Sequence, residues 1–274
     1  MSYIPLIARV ESLPPLPESI LQIESLFAQG DPDIDAIVKI IESDPVLTAE
    51  VLSKVNAPFY GFSKSIVSIL QAVTLFGSTQ IRSIVLSSTL ERSFDIDLSP
   101  YDITTAKFSQ ISIMQSELIF QWYMGIDITI ARAITPIAFL METGKVLIAK
   151  EVVEAGKVEA FKSDFYMYED ISYSENKYAL MTSAEVNSLI FDHLNLSTIF
   201  GETMRYLDMD HTVPKHLKEM VEALRIVRAA VNIKEQLSQD SMQKAKELLQ
   251  KDNYNIATFE RAAKRVSQKY MESL

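Results

Sequence analysis

The stretch Asp31-Pro-Asp-Ile-Asp-Ala-Ile-Val-Lys-Ile-Ile-Glu-Ser-Asp-Pro-Val-Leu-Thr48 contains two helix starts and one complete amphipathic stripe. Asp31-Pro32-Asp33 has the pattern of an N-cap, a proline at the first helical position and an acidic first turn. Ile34, Ile37, Val38 and Ile41 follow at i, i+3, i+4 and i+7, so one helical face points to a core. Ser43-Asp44-Pro45 restarts the pattern, with Asp44 as cap and Leu47, Val51 and Val55 on the next stripe. Asn56-Ala57-Pro58 ends it, with Asn56 as the terminating residue.

The same signals continue outward. Ser65 opens a helix carrying Ile66, Ile69, Leu70 and Val73, closed by Gly77 as a C′ residue. Ser78 caps the next, with Ile81, Ile84, Val85 and Leu90 inward. Asp95-Ile-Asp-Leu-Ser-Pro100 has no stripe and reads as a linker. A second helical block runs to about residue 236, with Gly125, Gly156 and Gly201 as boundaries and a loop at Tyr166–Tyr173. The expected fold is all-α and two-lobed. It comprises an N-terminal helical lobe at 1–98, a second helical lobe at 99–236 and a helical extension at 237–274. From Ser241 onward, seven basic residues face four acidic ones, in a chain whose net charge is −10. Ile256, Phe259, Ala263, Val266 and Tyr270 form a stripe there, which reads as an amphipathic helix packed on the body or, alternatively, docking a partner.

Composition narrows the function classes. With 274 residues, 48% hydrophobic and 23% charged, the chain can bury a sizeable core. Seven glycines and ten prolines suit helices better than a turn-rich β protein. The absence of cysteine removes disulfides, thiolate metal sites and a Cys nucleophile. No leader sequence and no apolar run of membrane-spanning length is read, so a cytoplasmic protein without membrane insertion is expected. The acidic balance argues against nucleic acid as a partner.

Several motifs together carry a resemblance. Leu13-Pro-Pro-Leu-Pro17, Ile41-Glu-Ser-Asp-Pro-Val-Leu-Thr48, Val55-Asn-Ala-Pro-Phe-Tyr-Gly61 and Ile66-Val-Ser-Ile-Leu-Gln-Ala-Val-Thr-Leu-Phe-Gly77 resemble successive elements of the HDOD family. That family is a non-catalytic relative of the HD-type metal-dependent phosphohydrolases, found in bacterial signalling. Phe139-Leu-Met-Glu-Thr-Gly-Lys-Val-Leu-Ile148 resembles the central HD helix, with Met141-Glu142 where that pattern has His-Asp and with Gly144-Lys145 retained. Lys107-Phe108-Ser109, Thr182-Ser183-Ala184-Glu185-Val186 and Arg205-Tyr206-Leu207-Asp208 fall where other metal-binding positions would lie. A thioether and a lone carboxylate replace a His-Asp pair poorly as ligands for hard ions. The resemblance therefore implies binding without turnover, no metal and no cofactor. The expected partner is a signalling protein or small-molecule ligand in trans, in motility, chemotaxis or cyclic-dinucleotide signalling.

The remaining chemistry is sparse. His193, His211 and His216 are the only histidines, and His193 reads as a structural residue at a helix end. Asp208, Asp210 and His211 leave open an alternative, a phosphohydrolase with an atypical metal site, against the plainer reading of a solvated turn. No nucleophile elbow, Walker loop or Gly-x-Gly-x-x-Gly occurs. Asn56, Tyr60, Glu142 and Lys145 are the candidate binding residues, placed by expectation at a cleft between the lobes.

Overall fold

The computed structural model describes residues 4–93, 96–209 and 213–271. Its α-helices are α1 Ile4–Glu11, α2 Glu18–Ala28, α3 Ile34–Ser43, α4 Pro45–Val55, α5 Ile69–Ser93, α6 Thr105–Tyr123, α7 Ile128–Leu140 and α8 Gly144–Glu154. They continue with α9 Val158–Met167, α10 Ile171–Ala179, α11 Ser183–His193, α12 Thr198–Arg205, α13 Lys218–Ala230, α14 Gln239–Lys251 and α15 Ile256–Met271. Among the described residues the only β pairing is an isolated antiparallel bridge between Val231 and Gln236. The protein is all-α, as the periodicity indicates.

Local chemistry explains the helix starts. Asp44 caps α4, accepting the Val46 and Leu47 N–H groups at 3.1 and 3.0 Å, and Pro45 takes the first helical position. Leu47, Val51 and Val55 are fully buried. The α3 cap is Asp33 rather than Asp31, because the Asp33 carboxylate is the one that reaches the Asp35 N–H. α5 begins at Ile69 rather than after Ser65, since it is the Ser68 hydroxyl that accepts the Gln71 N–H. Gly77 lies within α5 at φ 77°, ψ 157° and kinks it. That left-handed φ suits glycine and strains other residues. α5 as a whole is long and apolar enough by composition to cross a membrane, but the non-helical Gly77 divides it into two helical stretches, as the sequence reading expects. More than half of the stretch is buried in the fold.

Two compact units form, each from three segments. One comprises Met1–Pro14, Phe94–Gln115 and Leu140–Ile256; the other comprises Pro15–Ser93, Ser116–Phe139 and Ala257–Leu274. This differs from a sequential division at 98 and 236, because neighbourhood in space follows helix packing rather than chain order. The final segment is shared out likewise. α14 belongs to the first unit, and nearly all of α15 to the second. In the second unit Phe259 packs edge-on against Trp122 at 4.9 Å, and Ala262, Ala263 and Val266 are buried with it. The Tyr270 side chain lies outside the described residues.

Three boundaries shift. The expected loop at 166–173 shrinks to 168–170, because α9 runs to Met167 and α10 starts at Ile171 behind an Asp170 cap. Gly201 sits inside α12, where a Cβ would lie 2.1 Å from the Asp192 carboxylate. The segment read as a linker delivers a 3₁₀ turn, Ser99–Tyr101, whose Pro100 and Tyr101 are buried. Asp95 lies outside the described residues.

Candidate functional site

The first unit contains a cluster of buried charges. Lys145, at the start of α8, is only 4% exposed, with Glu142 at 2% and Glu175 at 1%. Its ammonium lies 2.8 Å from Glu142 Oε2 and 3.2 Å from Glu175 Oε1, and donates to Ser183 Oγ at 2.7 Å. Those three oxygens match the three N–H donors of an ammonium. Gln115, near the middle of α6, donates to Glu142 Oε1 and to the Val231 carbonyl, each at 2.8 Å. Glu175 accepts the Tyr101 hydroxyl at 3.0 Å and the Ser183 N–H at 2.6 Å. Behind the cluster, Asn187 donates to the Met141 carbonyl at 2.6 Å.

Backbone geometry holds this arrangement. A Cβ at Gly144 would lie 2.1 Å from the Ser183 carbonyl oxygen, so only glycine lets α8 meet the start of α11 so closely. The start of α11 is fixed by a reciprocal capping box, with Thr182 accepting the Glu185 N–H and Glu185 accepting the Thr182 N–H.

Electrostatics keep Glu142 and Lys145 ionised. Burial alone pushes the Glu142 carboxyl up, but the Lys145 ammonium, Arg228 and the Gln115 amide outweigh it and hold it below its ordinary value. Burial alone lowers Lys145, but Glu142 and Glu175 outweigh it and hold the amine above its ordinary value. Burial and the Glu175 charge push the Tyr101 phenol well up, so it stays a donor. Arg228, on α13, pairs with Asp208; burial opposes that carboxylate, and Arg228 prevails in keeping it below its ordinary value.

The cluster forms part of the wall of a cavity of about 1080 Å³, lined entirely by residues of the first unit. Farther out the lining includes Tyr168 and Tyr173, whose ring centroids are 4.1 Å apart, and Lys244, paired to Glu169 at 2.6 Å. Lys234 donates to the Tyr168 carbonyl at 2.6 Å and lies over the Phe165 ring.

The four candidate residues therefore separate. Glu142 and Lys145 line the cavity. Asn56 and Tyr60 belong to the other unit and do not. Asn56 ends α4 and brackets the backbone: its amide donates to the Leu52 and Ile66 carbonyls and its oxygen accepts the Ile66 N–H, all at 2.8 Å. Tyr60 is buried edge-on against Phe76 at 4.7 Å. His193 ends α11 and sits 3.0 Å from the Leu13 carbonyl. Asp210 and His211 lie outside the described residues, and Asp208 is committed to Arg228.

Sequence reading missed Gln115, Glu175, Tyr101 and Arg228. The polar contribution of α6 comes from Gln115, two turns beyond Lys107–Ser109, and Phe108 is core. The capping box was legible as Thr-x-x-Glu. Residues that would hold a metal in an HD enzyme do not suit one here. Met141 is core, Glu142 and Ser183 are spent on the Lys145 ammonium, and among the described residues no three His, Cys, Asp or Glu side chains converge to hold an ion.

The sequence profile of the HDOD domain matches residues 13–206. The chain belongs to the HDOD family. No curated protein matches it significantly. Similar solved structures include a virulence factor from Campylobacter jejuni, 23% identical, with 99% of this chain and 96% of that one covered and a TM-score of 0.60. A candidate phosphohydrolase from Shewanella amazonensis is 15% identical over 98% and 96%, with a TM-score of 0.68. A candidate signal transduction protein from Marinobacter aquaeolei is 17% identical over 96% of this chain and 59% of its own, with a TM-score of 0.72. These likenesses support the HDOD fold. The HDOD match ends at residue 206, so Asp208, Arg228, Lys234 and Lys244 are contributions from outside it.

Proposed function

We propose that this HDOD protein is a cytoplasmic, bacterial, non-catalytic signalling component that works by binding a protein or small molecule in trans at the cavity of its first unit. The observation that carries the reading is the Lys145 ammonium, buried and matched to Glu142, Glu175 and Ser183. A metal hydrolase needs an ion with an open coordination position to activate water. Here each N–H of the resident cation is already spent on the protein, so nothing at that point activates water. The open lining beyond it supplies aromatic and charged side chains suited to recognition.

The test is a phosphoesterase assay of the purified chain with bis-p-nitrophenyl phosphate and with nucleotide diesters, in the presence of Mg²⁺ or Mn²⁺. The expected result is no turnover above buffer. Metal-dependent hydrolysis abolished by substituting Asp208 would favour the phosphohydrolase alternative. For the binding role, capture from native cytosol is expected to weaken on charge reversal at Lys244; capture unaltered by substitutions throughout the cavity lining counts against that location.

A further inference from the structure

The outer lining of the first unit's cavity combines lysines with exposed aromatic and thioether side chains. Lys244 and Lys251 stand about two turns apart on one face of α14, and both line the cavity together with Lys234. Lys234 is held by neutral partners, the Tyr168 carbonyl at 2.6 Å and the Phe165 ring. Burial, and after it the nearby Lys244 charge, keeps the Lys234 amine below its ordinary value. Of the carboxylates beside these lysines, Asp170 caps α10 and Glu235 accepts the Ser238 hydroxyl at 3.0 Å. Among the described residues Glu169 is the carboxylate that pairs with one of them, 2.6 Å from Lys244 Nζ. That pair is loose. The Glu169 side chain is 78% exposed and that of Lys244 45%, and ion pairs so open to water are weak. On the α9–α10 side of the cavity, Tyr166, Met167 and Tyr173 are exposed.

Tyr168-Glu169 shows what chemistry this lining accepts: an aromatic ring, centred 4.1 Å from that of Tyr173, followed directly by a carboxylate on Lys244. We propose that Glu169 is a built-in stand-in for the partner, and that the partner is a protein whose acidic, aromatic-bearing segment displaces Glu169 from Lys244 and extends along Lys234 and Lys251. Several exposed Tyr and Met side chains together mark a protein-binding surface, where adaptable and aromatic contacts supply the apolar area and the lysines supply charge complementarity. Lys234, Lys244 and Lys251 lie outside the HDOD match, which therefore assigns them no role. The inference rests on the reading of the cavity as a binding site and adds the class of partner.

The probe is a fluorescent random copolymer of glutamate and tyrosine, titrated by anisotropy with the full chain and with its E169Q, K244Q and K244R variants. Polyglutamate is the control without rings. E169Q and K244Q abolish the same ion pair, so a merely structural role for that pair predicts shifts of one sign. A stand-in predicts opposite signs. E169Q is expected to bind the copolymer about two- to fivefold tighter, the release of one exposed ion pair, and K244Q about two- to fivefold weaker. K244R, which keeps the charge, is expected to bind as wild type does. Polyglutamate is expected to bind every chain more weakly than the copolymer, and all four chains are expected to melt together, since both substituted side chains are exposed. Shifts of the same sign, no shift at all, or no binding by either wild type or E169Q overturns the proposal. Polyglutamate binding as tightly as the copolymer, or complete displacement of the copolymer by inorganic phosphate, overturns it too and points to a small anion. Capture from cytosol that still weakens on charge reversal at Lys244 while the copolymer fails removes this inference and leaves the cavity reading standing; failure of both removes both.

Discussion

Asn56 and Lys145 both stand in motifs that resemble family signatures, and they do different work. Asn56 spends its amide on backbone groups of its own unit, tying the end of α4 to Ile66. Lys145 spends its charge on side chains brought from three separate places in the chain. The first is a local bracket, satisfied by neutral hydrogen bonds. The second is a long-range charge cluster beside open space. A motif residue is thus a sign of importance without being a sign of chemistry; the identity of its partners decides which it is.

The comparison is broken most severely at Lys145. K145M leaves Glu142 and Glu175 buried with no cation between them, and is expected to cost about 3–5 kcal/mol in urea unfolding. A change below 1 kcal/mol would mean that the cluster is not held as described. The double substitution M141H/E142D ranks next. It puts a polar ring in place of a Met that is 1% exposed and withdraws the carboxylate from Lys145, at an expected cost of about 1–3 kcal/mol. It is expected to gain no phosphoesterase activity with Mg²⁺ or Mn²⁺, because it leaves Ser183 and Leu207-Asp208 unaltered. Hydrolysis by this variant would refute the assignment of lost ligands.

N56A tests the local side of the comparison. It removes three backbone bonds and should cost about 1–2 kcal/mol while leaving partner capture through the cavity intact. Loss of capture at unchanged stability would show Asn56 to be more than a bracket. D44A is expected to have the smallest effect, about 0.5–2 kcal/mol at neutral pH, the usual value of a helix cap. Its pH dependence is specific. The Leu47 N–H, against the opposing effect of burial and with help from Ser19 and the Val46 N–H, holds the Asp44 carboxyl below its ordinary value of 3.8. A depressed folded-state value stabilises the fold above the titration of the unfolded carboxyl, and that contribution is lost as pH falls through the folded-state value. The stability gap between wild type and D44A should therefore narrow below about pH 4, as measured by urea midpoints at successive pH values.

The sequence by itself determined the helices and the kind of fold. Period-3.6 stripes such as Ile37, Val38 and Ile41, and caps such as Asp44, depend on residues within one or two turns, so they are readable in order. Even the errors were local: a cap at Asp33 instead of Asp31, or a helix start at Ser68 instead of Ser65. The motif around Glu142 and Lys145 was legible too, as was the loss of the His-Asp pair. Which residues surround Lys145 was decided only by tertiary structure. Gln115, Tyr101, Glu175 and Ser183 are separated from it by tens of residues. Burial turns their separate polarities into one charge cluster, because a cation removed from water must find its oxygens within the protein.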